Sequence, residues 1–145
     1  MIAVDTNILV YAHREDTPHH SAALSALQGL AETGRPWAVP WPCLHEFLAI
    51  VTHRRIFDPP SGLSVALGAM EDLLDISGMR PLTEEPGHAS VLTDLIVTSG
   101  VTGPKVHDAR IAAICLSHGV DSLGTADRDF SYFPRLRTHN PLLQG

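Results

Sequence analysis

Apolar residues along this chain alternate between short unbroken blocks and runs at helical spacing. Ile2, Ala3 and Val4 form such a block and stop at Asp5, the pattern of a short buried strand. Ile8, Leu9 and Tyr11 continue at helical spacing, and Thr17-Pro18 opens a second helix with Ala23, Leu24, Leu27 and Leu30 on one face. Trp37-Ala38-Val39 reads as a second strand, running into a helix whose Leu44, Phe47, Leu48 and Val51 form one stripe. The Asp-Pro-Pro-Ser-Gly stretch at 58–62 is a turn. Helices are expected near 63–77 and 87–99, with a strand near Met79–Leu82 between them. A further helix runs from Pro104, suited to a first helical position, towards Gly119, suited to the residue past a helix end. Ser122-Leu123-Gly124 is the last strand candidate. Strands alternating with helices predict an α/β fold with a mainly parallel sheet covered on both faces. No repeat, linker or low-complexity tract interrupts the pattern, so a single domain over 1–145 is expected.

Two of these helices carry a charge where burial is expected. In the helix after Pro104, Ala109, Ile111, Ala112, Ala113, Ile114, Cys115 and Leu116 leave little polar circumference, yet Asp108 stands in its second turn. The helix after Pro42 repeats the arrangement: Glu46 lies four residues past the proline, as Asp108 does past Pro104. A single such Asp is explained by the helix dipole, which favours negative charge near an N-terminus. Two of them call for a shared cause.

Functional groups in open α/β sheets gather beyond the carboxyl ends of the strands. Asp5 ends the first strand, and Thr125, Asp127 and Asp129 follow the last, while Glu46 and Asp108 open helices that follow strands or loops. Convergence of Asp5, Glu46, Asp108 and Asp127 would set like charges against one another, and a divalent cation removes that conflict. Carboxylate oxygens alone suit Mg²⁺ or Mn²⁺; zinc favours His and Cys. A cation so held supports in-line displacement at a phosphodiester.

Composition changes this picture little. Hydrophobic residues make up 44% of 145, enough for a core. Net charge is −6, which argues weakly against a nucleic-acid partner, but carboxylates committed to a metal would make the overall sign uninformative. Acids crowd the middle of the chain (Glu71, Asp72, Asp75, Glu84, Glu85), and Lys105, Arg110, Arg128, Arg135 and Arg137 gather towards the C-terminus. Cys43 and Cys115 fall inside apolar helices and read as small core residues of a reducing compartment. No 18-residue apolar run and no basic leader stand in the sequence, so a cytoplasmic protein with no membrane partner is expected.

The residues "VDTNILVYA" at the start, Glu46 after the second strand, "HDARIAA" and "TADRDF" together resemble a PIN domain, and more narrowly the VapC-type toxin ribonucleases of toxin–antitoxin modules. Each motif is weak alone; their order and spacing are specific, and the likeness reaches from Asp5 to Asn140–Leu142. The resemblance implies a three-layer α/β/α fold and a Mg²⁺- or Mn²⁺-dependent endoribonuclease, with RNA as substrate, a VapB-type antitoxin as partner, and a homodimer. Carried over by position, Asp5, Glu46, Asp108 and Asp127 form its acidic quartet, catalytic residues and metal ligands alike, with Thr6, Asn7 and Thr125 at its polar supporting positions.

The last motif offers two acids. Asp127 lies two residues past Thr125, near the strand end, and is assigned to the metal; Asp129 is read as ordering its loop, capping the turn or pairing with Arg128 or Arg135. Phe130, Tyr132 and Phe133 are expected to pack on the domain edge. Asn7 is read as capping the first helix while orienting Asp5. Arg14, Arg54 and Arg55 read as solvated helix ends. The nine histidines show no metal-ligand spacing, and His45 and His107 are expected to face away from the acids they precede. Two other functions fit the same pattern less well. A non-catalytic RNA- or antitoxin-binding module needs no intact quartet. An aspartyl-nucleophile phosphatase wants a second Asp where Asn7 stands.

Overall fold

The computed structural model describes residues 1–143. Five strands form one parallel sheet: β1 Ile2–Val4, β2 Trp37–Pro40, β3 Met79–Leu82, β4 Ser122–Gly124 and β5 Thr138–His139, in the order β3-β2-β1-β4-β5. Six helices accompany them: α1 Thr6–His13, α2 His20–Glu32, α3 Trp41–Val51, α4 Leu63–Asp75, α5 His88–Ser99 and α6 Lys105–Ser117. They fall into two packing groups. α1 touches α2 and α3, α3 touches α4, and α5 packs on α6. This is the α/β/α arrangement.

The central strands are apolar on both faces, as a parallel sheet covered by helices requires. Ala3, Val4, Trp37, Ala38, Val39 and Leu123 are all buried. β1 pairs with β2 through Ile2–Trp37 and with β4 through Ala3–Leu123, which puts Asp5 just beyond two paired strand ends. α3 follows β2 without a loop and carries its proline in the first turn, where no backbone N–H is missed. α6 starts after Pro104, already in helical conformation, and its Ala109, Ile111, Ala112, Ala113, Ile114 and Cys115 are buried. The chain leaves α6 through Gly119 at φ +68°, left-handed backbone that a side chain disfavours.

The helix expected at Thr17-Pro18 begins at His20 instead. The Thr17 hydroxyl donates to the Arg14 carbonyl at 2.8 Å and closes a turn ahead of the helix. On α2, Ala23 and Leu27 are buried but Leu24 is exposed. Arg14 is no solvated helix end: it pairs with Asp16, donates to the Pro59 carbonyl at 3.0 Å and lies 4.3 Å from the centre of the Phe57 ring. Arg54 and Arg55 are exposed. β5 and a 3-10 helix at Arg128–Tyr132 had no counterpart among the expected elements.

At Gly78 the backbone between α4 and β3 adopts φ +81°, and a Cβ would lie 2.5 Å from the Arg35 carbonyl oxygen. The Gly78 carbonyl also accepts from the Trp37 amide at 3.0 Å, beside the start of β2. Gly78→Ala is expected to cost roughly 1–3 kcal/mol through strain and displacement of that strand edge. Urea unfolding measures it, and an unchanged midpoint would show that the Arg35 backbone yields freely.

Candidate active site

The site grows from a reversal in strand order. The chain moves from β1 outwards to β2 and β3, then returns to place β4 on the other side of β1. The carboxyl ends of β1 and β4 therefore open onto the crevice where open α/β sheets take ligands. The Asp5 amide donates to the Gly124 carbonyl at 2.9 Å and ties the two strand ends together.

Asp5 occupies the cap position of α1 in extended conformation, but its side chain makes no capping bond. It is 5% exposed. Its carboxylate accepts from the Thr125 hydroxyl at 2.7 Å and from the Cys43 thiol at 3.5 Å. Burial raises its pKa; the bonds from Thr125, the Thr6 backbone and Cys43 oppose that rise, and the Glu46 charge adds to it. Thr6, also buried, donates its hydroxyl to Glu46 at 2.9 Å. The Thr125 hydroxyl also accepts from the Asp127 amide at 3.0 Å, so one buried oxygen links the first and last motifs.

Asp108, Asp127 and Asp129 each present a carboxylate oxygen, all within 4.8 Å of one another. Asp108 is pushed up to about 6, by burial first and then by the charges of Asp127, Asp129, Asp5 and Glu46. Asp5 and Glu46 thus stand near enough to act on Asp108, though they do not join the group of three. An all-oxygen set at this spacing fits a hard divalent cation, which would also offset the repulsion on Asp108.

The two acids of the last motif differ from expectation in their partners. Asp127, not Asp129, caps the 3-10 helix, accepting from the Asp129 amide at 2.8 Å. Asp129 pairs with Lys105 at 3.1 Å rather than with Arg128 or Arg135; Arg135 pairs with Asp94. A two-residue extended spacing would place both acids on one face, and the cap geometry does the same by folding Asp129 back over Asp127. Phe130 and Phe133 are buried as expected, whereas Tyr132 is 48% exposed, with the Lys105 ammonium 4.4 Å from its ring centre. Asn7 neither caps α1, whose cap position is Asp5, nor bonds to Asp5. It accepts from the Ala126 amide at 3.4 Å and so steadies the Thr125–Asp127 loop. His45 and His107 are exposed.

Two residues of the site escaped sequence reasoning. Cys43 precedes Glu46 by three positions and Lys105 precedes Asp108 by three, one helical turn in each case, so each shares a face with its acid. Burial first, and then the Asp5 charge, lift the Cys43 thiol well above the ordinary range, which keeps it a neutral donor.

A model of the PIN domain family matches residues 2–136. The chain belongs to the PIN domain family, within the group that holds the VapC ribonucleases. Ribonuclease VapC43 of Mycobacterium tuberculosis is 34% identical over 142 residues, covering 98% of this chain and 96% of that protein. Ribonuclease VapC31 of the same species is 32% identical over 143 residues, covering 99% and 100%. Among solved structures, VapBC2 from Rickettsia felis, bound to a DNA fragment from its promoter, matches with a TM-score of 0.71 at 19% identity and covers 97% of this chain and 98% of its own; that likeness speaks for the fold.

Proposed function

We propose that this protein is a metal-dependent endoribonuclease that hydrolyses RNA phosphodiester bonds as the toxin of a VapBC-type module. One observation carries the reading: three carboxylates within 4.8 Å of one another at the β1/β4 crevice, beside a buried Asp5. Relatives named ribonucleases along nearly the full chain support it. Asp108 and Asp127 are the residues that hold Mg²⁺ or Mn²⁺ in this reading, with Asp5 and Glu46 adding negative charge. Bound there, the ion supplies positive charge for in-line displacement at phosphorus.

The chain's own residues do the rest. Thr125 and Cys43 fix the Asp5 carboxylate from two sides, so little reorganisation accompanies the reaction. Thr6 fixes Glu46 in the same way. Asn7 and the Asp127 cap hold the loop that carries the last acids. A VapB-type antitoxin, a homodimer and a cytoplasmic setting belong to the same reading. Among the described residues no helix is long and apolar enough to cross a membrane.

Purified protein is expected to cut RNA with Mg²⁺ or Mn²⁺ and to stop with chelator, and its expression without an antitoxin is expected to slow growth. Intact RNA in the presence of metal, with normal growth of cells holding the soluble protein, would overturn the proposal.

A further inference from the structure

Beside the acidic group lies a cleft of about 450 Å³, walled by the Thr125–Arg128 loop and Ser131 on one side and by Thr138, His139 and Asn140 on the other. Asp127 belongs to both the cleft and the acidic group. Through Asp127 the cleft adjoins the acidic group, on the side of edge strand β5. Its volume falls within the range of small-ligand sites, roughly 300–1,000 Å³.

Besides the acceptor Asp127, this cleft holds several groups able to donate, and some of them are uncommitted. Arg128 stands between two acids in sequence, yet makes no ion pair among the described residues. The reason is local: Asp127 caps the turn and Asp129 is taken by Lys105. Arg128 lines the cleft, its guanidinium without a carboxylate partner among the described residues. The Ser131 hydroxyl has no partner among the described residues either. Asn140 accepts from the Leu142 amide at 3.0 Å through Oδ1, which fixes its side chain and leaves the amide NH₂ available. His139 is held by a 2.6 Å hydrogen bond between its Nδ1 and the Ser122 hydroxyl. Burial lowers its pKa, so the ring is neutral at pH 7.

An acidic centre in a chain of net charge −6 repels the polyanion it acts on. An unpaired cation next to that centre, in the lining of the adjoining cleft, answers the difficulty. We infer that this cleft seats the nucleotide next to the cleaved bond of a single-stranded RNA. Arg128 takes its phosphate, and Ser131 and the Asn140 amide meet acceptors on its base edge. The inference rests on the ribonuclease reading above and adds a binding site to it. Unpaired bases can enter such a cleft and be read on their edges, whereas a paired helix cannot.

The test is binding of a short fluorescein-labelled single-stranded RNA, followed by anisotropy in chelator so that nothing is cut, alongside cleavage with Mn²⁺. Arg128→Ala is expected to weaken binding about tenfold and to lower the salt slope by about one. Asn140→Asp keeps the oxygen that accepts from Leu142 but replaces donors with a negative charge. It is expected to bind about tenfold more weakly as well, with an altered choice of cleavage sequence. Arg80→Ala, on the opposite sheet edge, serves as control and binds like wild type. If wild type binds and cuts while Arg128→Ala and Asn140→Asp bind equally well, this inference falls and the ribonuclease reading stands. If wild type neither binds nor cuts, both fall. Loss of a co-purifying antitoxin from Arg128→Ala, with RNA binding intact, would make the cleft a protein-docking site and overturn the inference.

Discussion

Asp5→Asn and Asp108→Asn are expected to lose RNA cleavage by about a thousandfold, roughly 4 kcal/mol of transition-state stabilisation, while remaining folded. Neither change alters side-chain volume much, and each removes a charge from a crowded group. The two final acids should separate by the partners they keep. Asn caps a turn about as well as Asp, so Asp127→Asn retains the bond from the Asp129 amide and wild-type stability but loses metal affinity and cleavage. Asp129→Asn gives up a solvent-screened ion pair with Lys105, which contributes little to stability. Its metal affinity should fall less than that of Asp127→Asn. Calorimetric titration with Mn²⁺ decides, and weakening in Asp129→Asn alone would assign the metal to Asp129.

The second large effect is on pH. Burial and four neighbouring carboxylates push Asp108 up to about 6, above its unfolded value of 3.8. Folding therefore favours its protonated form. That contribution to apo stability is fully present below about 3.8 and is lost as pH rises through about 6. Asp5, also raised, acts in the same direction, while exposed Asp16, Glu84 and Asp121, all lowered by partners, act in the opposite one. The difference between wild type and Asp108→Asn isolates the effect. The variant's apo form should be more stable at pH 7.5 by about 1 kcal/mol, after allowance for solvent screening of a half-buried group, and the gain should vanish near pH 4. A cation must displace that proton below about 6, so affinity should drop about tenfold from pH 7.5 to pH 5. Affinity unchanged over that interval would show that Asp108 is no ligand.

Much of this arrangement can be read in the chain because apolar runs announce their own ends. Ile2–Val4 and Trp37–Val39 are short but unbroken, and Asp5 follows the first at once; Ser122–Gly124 is marked less by its residues than by its place between the Gly119 helix end and Thr125. Glu46 and Asp108 stand out against helices that are apolar nearly all round. What stayed hidden depends on contacts made only in the folded chain. β5 is two residues long and is held by backbone bonds to Leu123 and Thr125, so no apolar alternation marks it. Arg14 looks solvated until the turn at 58–62 comes back to meet it. Asn7 looks like a cap until Ala126, 119 positions away, supplies the amide it binds. Tyr132 looks like its buried neighbours Phe130 and Phe133 until Lys105 is placed above it.

The hydrogen bond between Asp5 and Thr125 spans 120 positions of sequence. A ribosome adding about 5–20 residues per second needs on the order of ten seconds to make the second partner after the first. Throughout that interval the growing chain holds Asp5 without Thr125, Asp127 or β4, and β1 has at most one neighbouring strand. The site thus assembles late in its own synthesis: a growing chain that has not yet reached Thr125 is expected to hold its first acids without the bond that fixes Asp5.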